Sequence, residues 1–328
     1  MKRFFPLLLG AGWLLGCQND TLLFVSPTSV TELNSLLLPN APAVQTFGFT
    51  LSQPQTLHTA AGATLSFPAN AFVLPNGSVA TGRAELRVRE LRSVGDMVLA
   101  GLNTNVALAA NRLLVSAGEV NLQVWQGSTR LRWKPALATG PAPAGPSLAF
   151  PVPTGGLDTT RMFLWNLPVA GNPAAAPADS MAGWQPALLT GQSAWSPLLQ
   201  ANGFYTAALP LDTISWINFD QYWRPAAGPA ARWTWAQVRV PAGATETRVF
   251  LRPAGYTSLC RTFGTPGDPT LWSNHFPEGT DVQAIVLQAR DGQLYFGTQR
   301  YTWQQNAVMA PPLQALSAAD IVQRIRQL

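Results

Sequence analysis

The chain has 328 residues, of which only 11% are charged, with a formal net charge of +5, 28 prolines, 27 glycines, 12 tryptophans and two cysteines. Charge far below the ~25% usual in globular proteins, with this much Pro and Gly, argues against long solvated helices and for many short strands packed by aromatics. The arginines are scattered, without a like-charge run or a basic stripe, which excludes a nucleic-acid binder.

The N-terminus begins with Lys2 and Arg3, continues through an uncharged, largely apolar run from Phe4 to Leu15, and reaches small Gly16 before Cys17. A bilayer span takes ~20 residues, so this run is too short for one and has the layout of a secretory signal peptide. Leu14-Leu15-Gly16-Cys17 resembles the bacterial lipobox, in which the cysteine thiol is diacylated and becomes the mature N-terminus. That resemblance implies a signal peptide over residues 1–16, lipidation at Cys17, and a place in the bacterial cell envelope, at the outer membrane. Two or more acyl chains, at ~0.8 kcal/mol per buried CH₂, hold a protein body on a membrane without a transmembrane helix. Loss of Lys2 and Arg3 lowers the charge from +5 to +3 and leaves Lys134 as the one lysine. With Cys17 acylated, Cys260 has no cysteine to pair with, so stability must come from packed cores.

Residues 17–44 read as a tether, polar at Gln18-Asn19-Asp20 and stiffened by Pro27, Pro39 and Pro42, with a short helix over 31–38. No charge occurs between Glu32 and Arg83, but Pro39, Pro42, Pro54 and Pro68 exclude a membrane span there. From Thr46 the pattern is β. Residues 83–91 alternate Ala84, Leu86 and Val88 against Arg83, Glu85, Arg87 and Arg89, the period of a strand with one wet face. Residues 119–125 repeat it, with Val120, Leu122 and Val124 inward and Glu119, Asn121 and Gln123 outward. Further strands are expected at 64–67, 112–116, 129–133, 148–152 and 161–165, with a turn at Pro75-Asn76-Gly77. An Ala, Pro and Gly-rich loop or linker covers 168–197. Strands resume at 204–209, 214–219, 233–240, 246–251, 281–289 and 294–303, and Cys260 falls in a strand over 256–263. Ser317, Asp320 and the stripe Ile321, Val322, Ile325 and Leu328 predict a C-terminal helix. The expected fold is all-β: a β-sandwich over 45–167, and a second, smaller sandwich-like domain over 198–328 closed by that short helix.

Residues 62–91, with Leu65, Phe67, Pro68, Ala71 and Phe72, resemble the core of ZU5-type β-sandwich domains. They resemble more closely a group of bacterial lipoproteins carrying that module. In that group the pattern continues through Gly95-Asp96-Met97, Leu102-Asn103-Thr104, Gly118 and Trp216-Ile217-Asn218-Phe219-Asp220. The resemblance covers roughly residues 46–222 and implies interaction or scaffold work rather than metabolism. Some ZU5-bearing proteins cleave themselves at His-Phe-Ser; here His275-Phe276-Pro277 lacks the nucleophile.

No enzyme signature is present. There is no Gly-x-Ser-x-Gly elbow, no Ser-x-x-Lys and no phosphate-cradling glycine loop, and no cofactor or metal is implied. His58 and His275 stand far apart without ligand partners at metal spacing, and Cys260 has no His or Lys nearby to activate it. Asp212, Asp220, Asp268 and Asp281 are not spaced as a calcium site and are expected in solvated loops. The aromatics are the one functional lead. Trp233 and Trp235 share a strand face, with Trp223 nearby: exposed, they stack on sugars; buried, they are core, the expected case. The sequence therefore points to a membrane-anchored, non-enzymatic binding or scaffold lipoprotein whose partners are the membrane and envelope proteins or glycans. Its rivals are a glycan-binding surface lipoprotein and a hydrolase based on His58 or His275.

Overall fold

The computed structural model describes residues 32–106, 112–134, 146–153, 161–167, 183–187, 198–209, 216–224 and 232–328. The signal peptide, Cys17, the tether as far as residue 31, Asp212 and most of the 168–197 loop lie outside the described residues. What is described is mostly strand, in several largely antiparallel sheets with a short C-terminal helix.

Alternating apolar residues build two sandwiches. In the first, one sheet runs Gln45–Thr50, Arg83–Leu91, Leu114–Gln126, Trp216–Tyr222, Phe163–Asn166, Gln185–Pro186. The other runs Leu199–Ala201, Phe204–Ala208, Ser147–Pro151, Thr64–Phe67, Gln55–His58. Leu86, Val88, Val120, Leu122 and Val124 of the first meet Leu65, Phe67, Leu148, Phe150 and Tyr205 of the second in one core. Each such Leu, Val or Phe contributes roughly 1.5–3 kcal/mol by leaving water. Two strands expected in the second unit, Phe204–Ala208 and Trp216–Tyr222, pair instead with strands of the first.

The second sandwich faces a sheet ordered Phe263–Thr265, Asp268–Pro277, Trp233–Arg239, Val308–Met309 against one ordered Cys260–Arg261, Glu246–Pro253, Asp281–Arg290, Gln293–Thr302, Gln314–Ala315. Ala236, Val238, Phe276, Val249, Val282, Val286 and Trp303 fill it.

A third core joins the two. Helices Glu32–Leu37, Val94–Ala100 and Ala318–Arg326 pack between Leu91, Leu114, Trp165 and Trp216 of the first sandwich and Phe250, Ile285, Leu287 and Phe296 of the second. The first of these lies in the expected tether, yet Leu33 and Leu37 are fully buried and the Leu33 amide donates to Glu246. Helix Val94–Ala100 was not expected from its sequence. Ser93 and Asp96 close a capping box on it, and Gly95 lets the backbone at Ile325 of the C-terminal helix come within contact, where any side chain would clash. The junction is hydrogen-bonded as well as apolar: Thr104 donates its amide to Leu259, Ser116 donates its amide to Thr257, and Asn105 exchanges two bonds with Arg261.

The strand Leu114–Gln126 passes through both units. Leu113 and Val115 belong to the second core, while Ala117, Val120, Leu122 and Val124 belong to the first. Inward positions are odd before Gly118 and even after it, because a bulge opposite Phe219 and Asp220 shifts the register. That parity change is why the sequence reads as two strands, 112–116 and 119–125. Gly118 holds φ at +146°, and the Phe150 ring, stacked on Phe219 at 4.6 Å, occupies the place of a Cβ there.

Candidate functional site

The bulge places four polar side chains on one face of neighbouring strands. Glu119 lies opposite Asn218, and Ser116 opposite Asp220, with Leu91 and Trp165 next along the same rows. Because Leu91 and Trp165 belong to the joining core, this end of the sheet is covered, and Glu119, Asn218 and Asp220 are 0% exposed. Three expectations are corrected here: Glu119 does not face water, Asn121 on the same face is buried as well, and Asp220 lies in a buried strand rather than a solvated loop.

The Ser116 hydroxyl donates to Asn218 Oδ1 at 2.6 Å and accepts from the Gly118 amide at 2.9 Å. The Asn218 amide donates to Asp220 Oδ2, and the Trp165 indole N–H donates to the Asp220 carbonyl at 3.2 Å. Both Glu119 carboxyl oxygens and Asp220 Oδ1 have no hydrogen-bond partner. Burial pushes the Glu119 carboxyl well above the usual carboxylate range, and the neighbouring Asp220 raises it further. Burial does the same to Asp220, against a Ser116 contact that favours its charged form. Both carboxyls are thus biased toward their neutral forms, Glu119 by burial and by the charge of Asp220, and Asp220 by burial. Among the described residues the pair is sealed from solvent.

The tryptophans separate. Trp223 is buried, packed edge-on to Trp233 at 6.2 Å and against Phe276. Trp233 is half-buried, and Trp235 is 54% exposed, with its ring 3.8 Å from that of His275. The expectation that Trp233 and Trp235 both serve as core therefore fails for Trp235, whose strand position points away from Ala236 and Val238. Trp223, named with them as a stacking residue, is enclosed.

His275 sits opposite Trp235, and burial lowers its pKa. His58, on the far sandwich, contacts Thr64 Oγ1 at 3.0 Å. The structure does not bring the two together. His275-Phe276-Pro277 runs in regular antiparallel pairing with Trp233-Thr234-Trp235. Cys260 is fully buried, and burial pushes its thiol far up, away from reactivity. Asp268 and Asp281, expected in loops, are the first residues of strands; Asp268 accepts from Thr270, and Asp281 accepts from Thr302. Among the described residues no group of three His, Cys, Asp or Glu side chains could hold a metal ion, and no helix is long and apolar enough to cross a membrane.

The buried pair was missed from sequence, although a signal exists. Trp216, Ile217 and Phe219 are large and apolar on both faces of one strand, which marks a strand covered on both sides, so Asn218 and Asp220 between them are covered too. Of the other residues singled out in the sequence, Met97 and Leu102 lie in the joining core and the Asn103 carbonyl accepts the Trp184 indole N–H at 2.6 Å, whereas Leu65, Phe67, Ala71 and Phe72 lie in the core of the first sandwich. No family model matches the chain, and no curated protein matches it.

Proposed function

We propose that the chain is a lipid-anchored, extracytoplasmic protein whose body does binding or scaffold work rather than catalysis, a lipoprotein with a ZU5-like first sandwich. The anchoring rests on one observation, the basic start, apolar run and Leu14-Leu15-Gly16-Cys17 that end in an acylatable cysteine. The non-enzymatic reading is supported by where the reactive groups sit: the acid pair and Cys260 are sealed, and His58 and His275 occupy different sandwiches. Metabolic labelling with palmitate tests the anchor: the wild type takes up label and Cys17→Ala does not, whereas equal labelling of both sinks the reading.

A second reading, glycan binding at the surface, is favoured by the exposed indole of Trp235 beside His275. It keeps Trp235, makes Trp233 a flank and drops Trp223.

A further inference from the structure

The outward face of the first sandwich, away from the joining core, is a separate surface. Along Arg83–Leu91 it presents Arg83, Glu85, Arg87 and Arg89; along Leu114–Gln126 it presents Gln123 and Trp125, with Asn121 on the same face but buried. The register sets Glu85 opposite Trp125, Arg87 opposite Gln123 and Arg89 opposite Asn121, and Arg130 lies across from Trp125 on the far side. Among the described residues Arg83, Arg87 and Arg89 thus share this stretch of the face with one carboxylate, Glu85. In the sequence they are dispersed; strand alternation and pairing collect them, with same-face neighbours ~7 Å apart along a strand and ~5 Å across strands.

Three observations mark this face as built for a ligand. The first is a fixed aromatic: the Trp125 indole N–H donates to Gln123 Oε1 at 3.1 Å, Gln123 donates to Asn121 at 3.0 Å, and the Arg87 guanidinium lies 5.3 Å from the Trp125 ring centroid. The second is cation without counter-ion. Arg87 is held by Glu85 at 2.6 Å, but among the described residues no carboxylate pairs with Arg83 or Arg89, and the half-buried Arg89 leaves its Nε without an acceptor. Burial alone lowers the Arg89 pKa, with no anion raising it back. The third is room. A hollow of about 170 Å³ is lined by Arg83, Ala84, Glu85, Arg87, Trp125 and Gly127. Beside it the edge strand offers Thr46, Gly48 and Thr50, with open space where Gly48 would carry a Cβ. The hollow falls below the ~300–1,000 Å³ of drug-sized pockets, a size for one ring of a longer chain lying along an open face.

We propose that this face binds an acidic saccharide, with Trp125 stacking on a sugar ring, Gln123 meeting its hydroxyls, and Arg83, Arg87 and Arg89 holding carboxylate or phosphate groups. Guanidinium suits both anions because its planar fork donates two parallel hydrogen bonds. A neutral glycan leaves the desolvated Arg89 uncompensated. A nucleic acid does not fit the extracytoplasmic reading, and an anionic bilayer is the rival that the vesicle arm of the titration tests. The proposal deepens the extracytoplasmic binding reading and rests on it for the ligand's whereabouts, while purified protein tests the binding itself, so a failed palmitate label and a failed titration are separate results.

Full-length protein in detergent is titrated by calorimetry with a panel of oligouronates and phosphorylated oligosaccharides, a neutral oligosaccharide of equal length, polyglutamate, and vesicles containing anionic lipid. At least one acidic saccharide binds, and the neutral one does not. Trp125→Ala weakens that binding tenfold or more, Trp125→Phe restores most of it, and Arg83→Gln/Arg89→Gln weakens it and flattens its salt dependence. Trp125 and the arginines are partly exposed, so unchanged circular dichroism and melting temperature certify the fold of each variant. Binding by no acidic saccharide overturns the proposal. So does polyglutamate or vesicle binding that equals saccharide binding and is indifferent to Trp125→Ala, which makes the face a general anion or membrane surface.

Discussion

Replacing Glu119 with Gln removes one titrating carboxyl from the sealed pair and keeps its shape. In the folded protein burial, reinforced by Asp220, holds Glu119 protonated beyond the pH at which an unfolded chain releases that proton. Between the unfolded value, about 4.3 for Glu, and the raised folded value, the unfolded chain binds fewer protons than the folded one. Stability is therefore complete below the unfolded value and falls as pH rises, by about 1.4 kcal/mol per pH unit for each carboxyl held protonated. Asp220 carries the same sign from the same cause. Glu119→Gln removes one of these contributions, so its slope is shallower than wild type by about 1.4 kcal/mol per pH unit wherever Glu119 holds its proton. Urea unfolding followed by tryptophan fluorescence, from about pH 4.5 to pH 8.5, measures both slopes. The variant gains on the wild type as pH rises, and the two converge at the acid end. A wild-type stability flat across that range, or two parallel curves offset by a constant, refutes the reasoning.

Three further outcomes follow from burial. Leu86→Ala, in the first core, costs about 2–5 kcal/mol, whereas Arg87→Ala, on the wet face, stays within about 0.5 kcal/mol; urea midpoints separate them. Trp303→Ala empties a fully buried site whose indole N–H donates to Thr234 and costs about 3–5 kcal/mol. Trp235→Ala at the surface leaves the melting temperature nearly unchanged, and equal losses from the two would contradict the packing. Cys260 stays unreactive to a thiol reagent in the native protein and reacts once urea unfolds it; rapid native labelling would show the strand open.

The strands were legible where one face is wet. Residues 83–91 alternate cleanly because Arg83 and Arg87 meet water while Leu86 and Val88 meet the opposite sheet. Alternation failed where a strand is covered on both faces: in Trp216–Tyr222 and the first half of Leu114–Gln126 the period disappears, leaving only the apolar residues on both faces of Trp216–Tyr222 as a sign that Asp220 is buried. The division near residue 198 followed composition, whereas hydrogen bonding carries the chain back to the first sandwich through Phe204–Ala208 and Trp216–Tyr222, a long-range pairing no local pattern encodes. Helix Val94–Ala100 did carry a signal in Ser93 and Asp96 three residues later, obscured by Gly95 and by the short length of the helix. The arginine face was half legible: alternation put Arg83, Arg87 and Arg89 together, but only the register brought Trp125 and Gln123 beside them.

Anchorage through Cys17 is tested most directly by mass spectrometry of the mature N-terminal peptide, from protein extracted from its own membranes. The predicted result is a peptide that begins at Cys17 and carries the mass of a diacylglyceryl group, with or without a third acyl chain. A mature chain that begins at another residue, or at an unmodified Cys17, contradicts it.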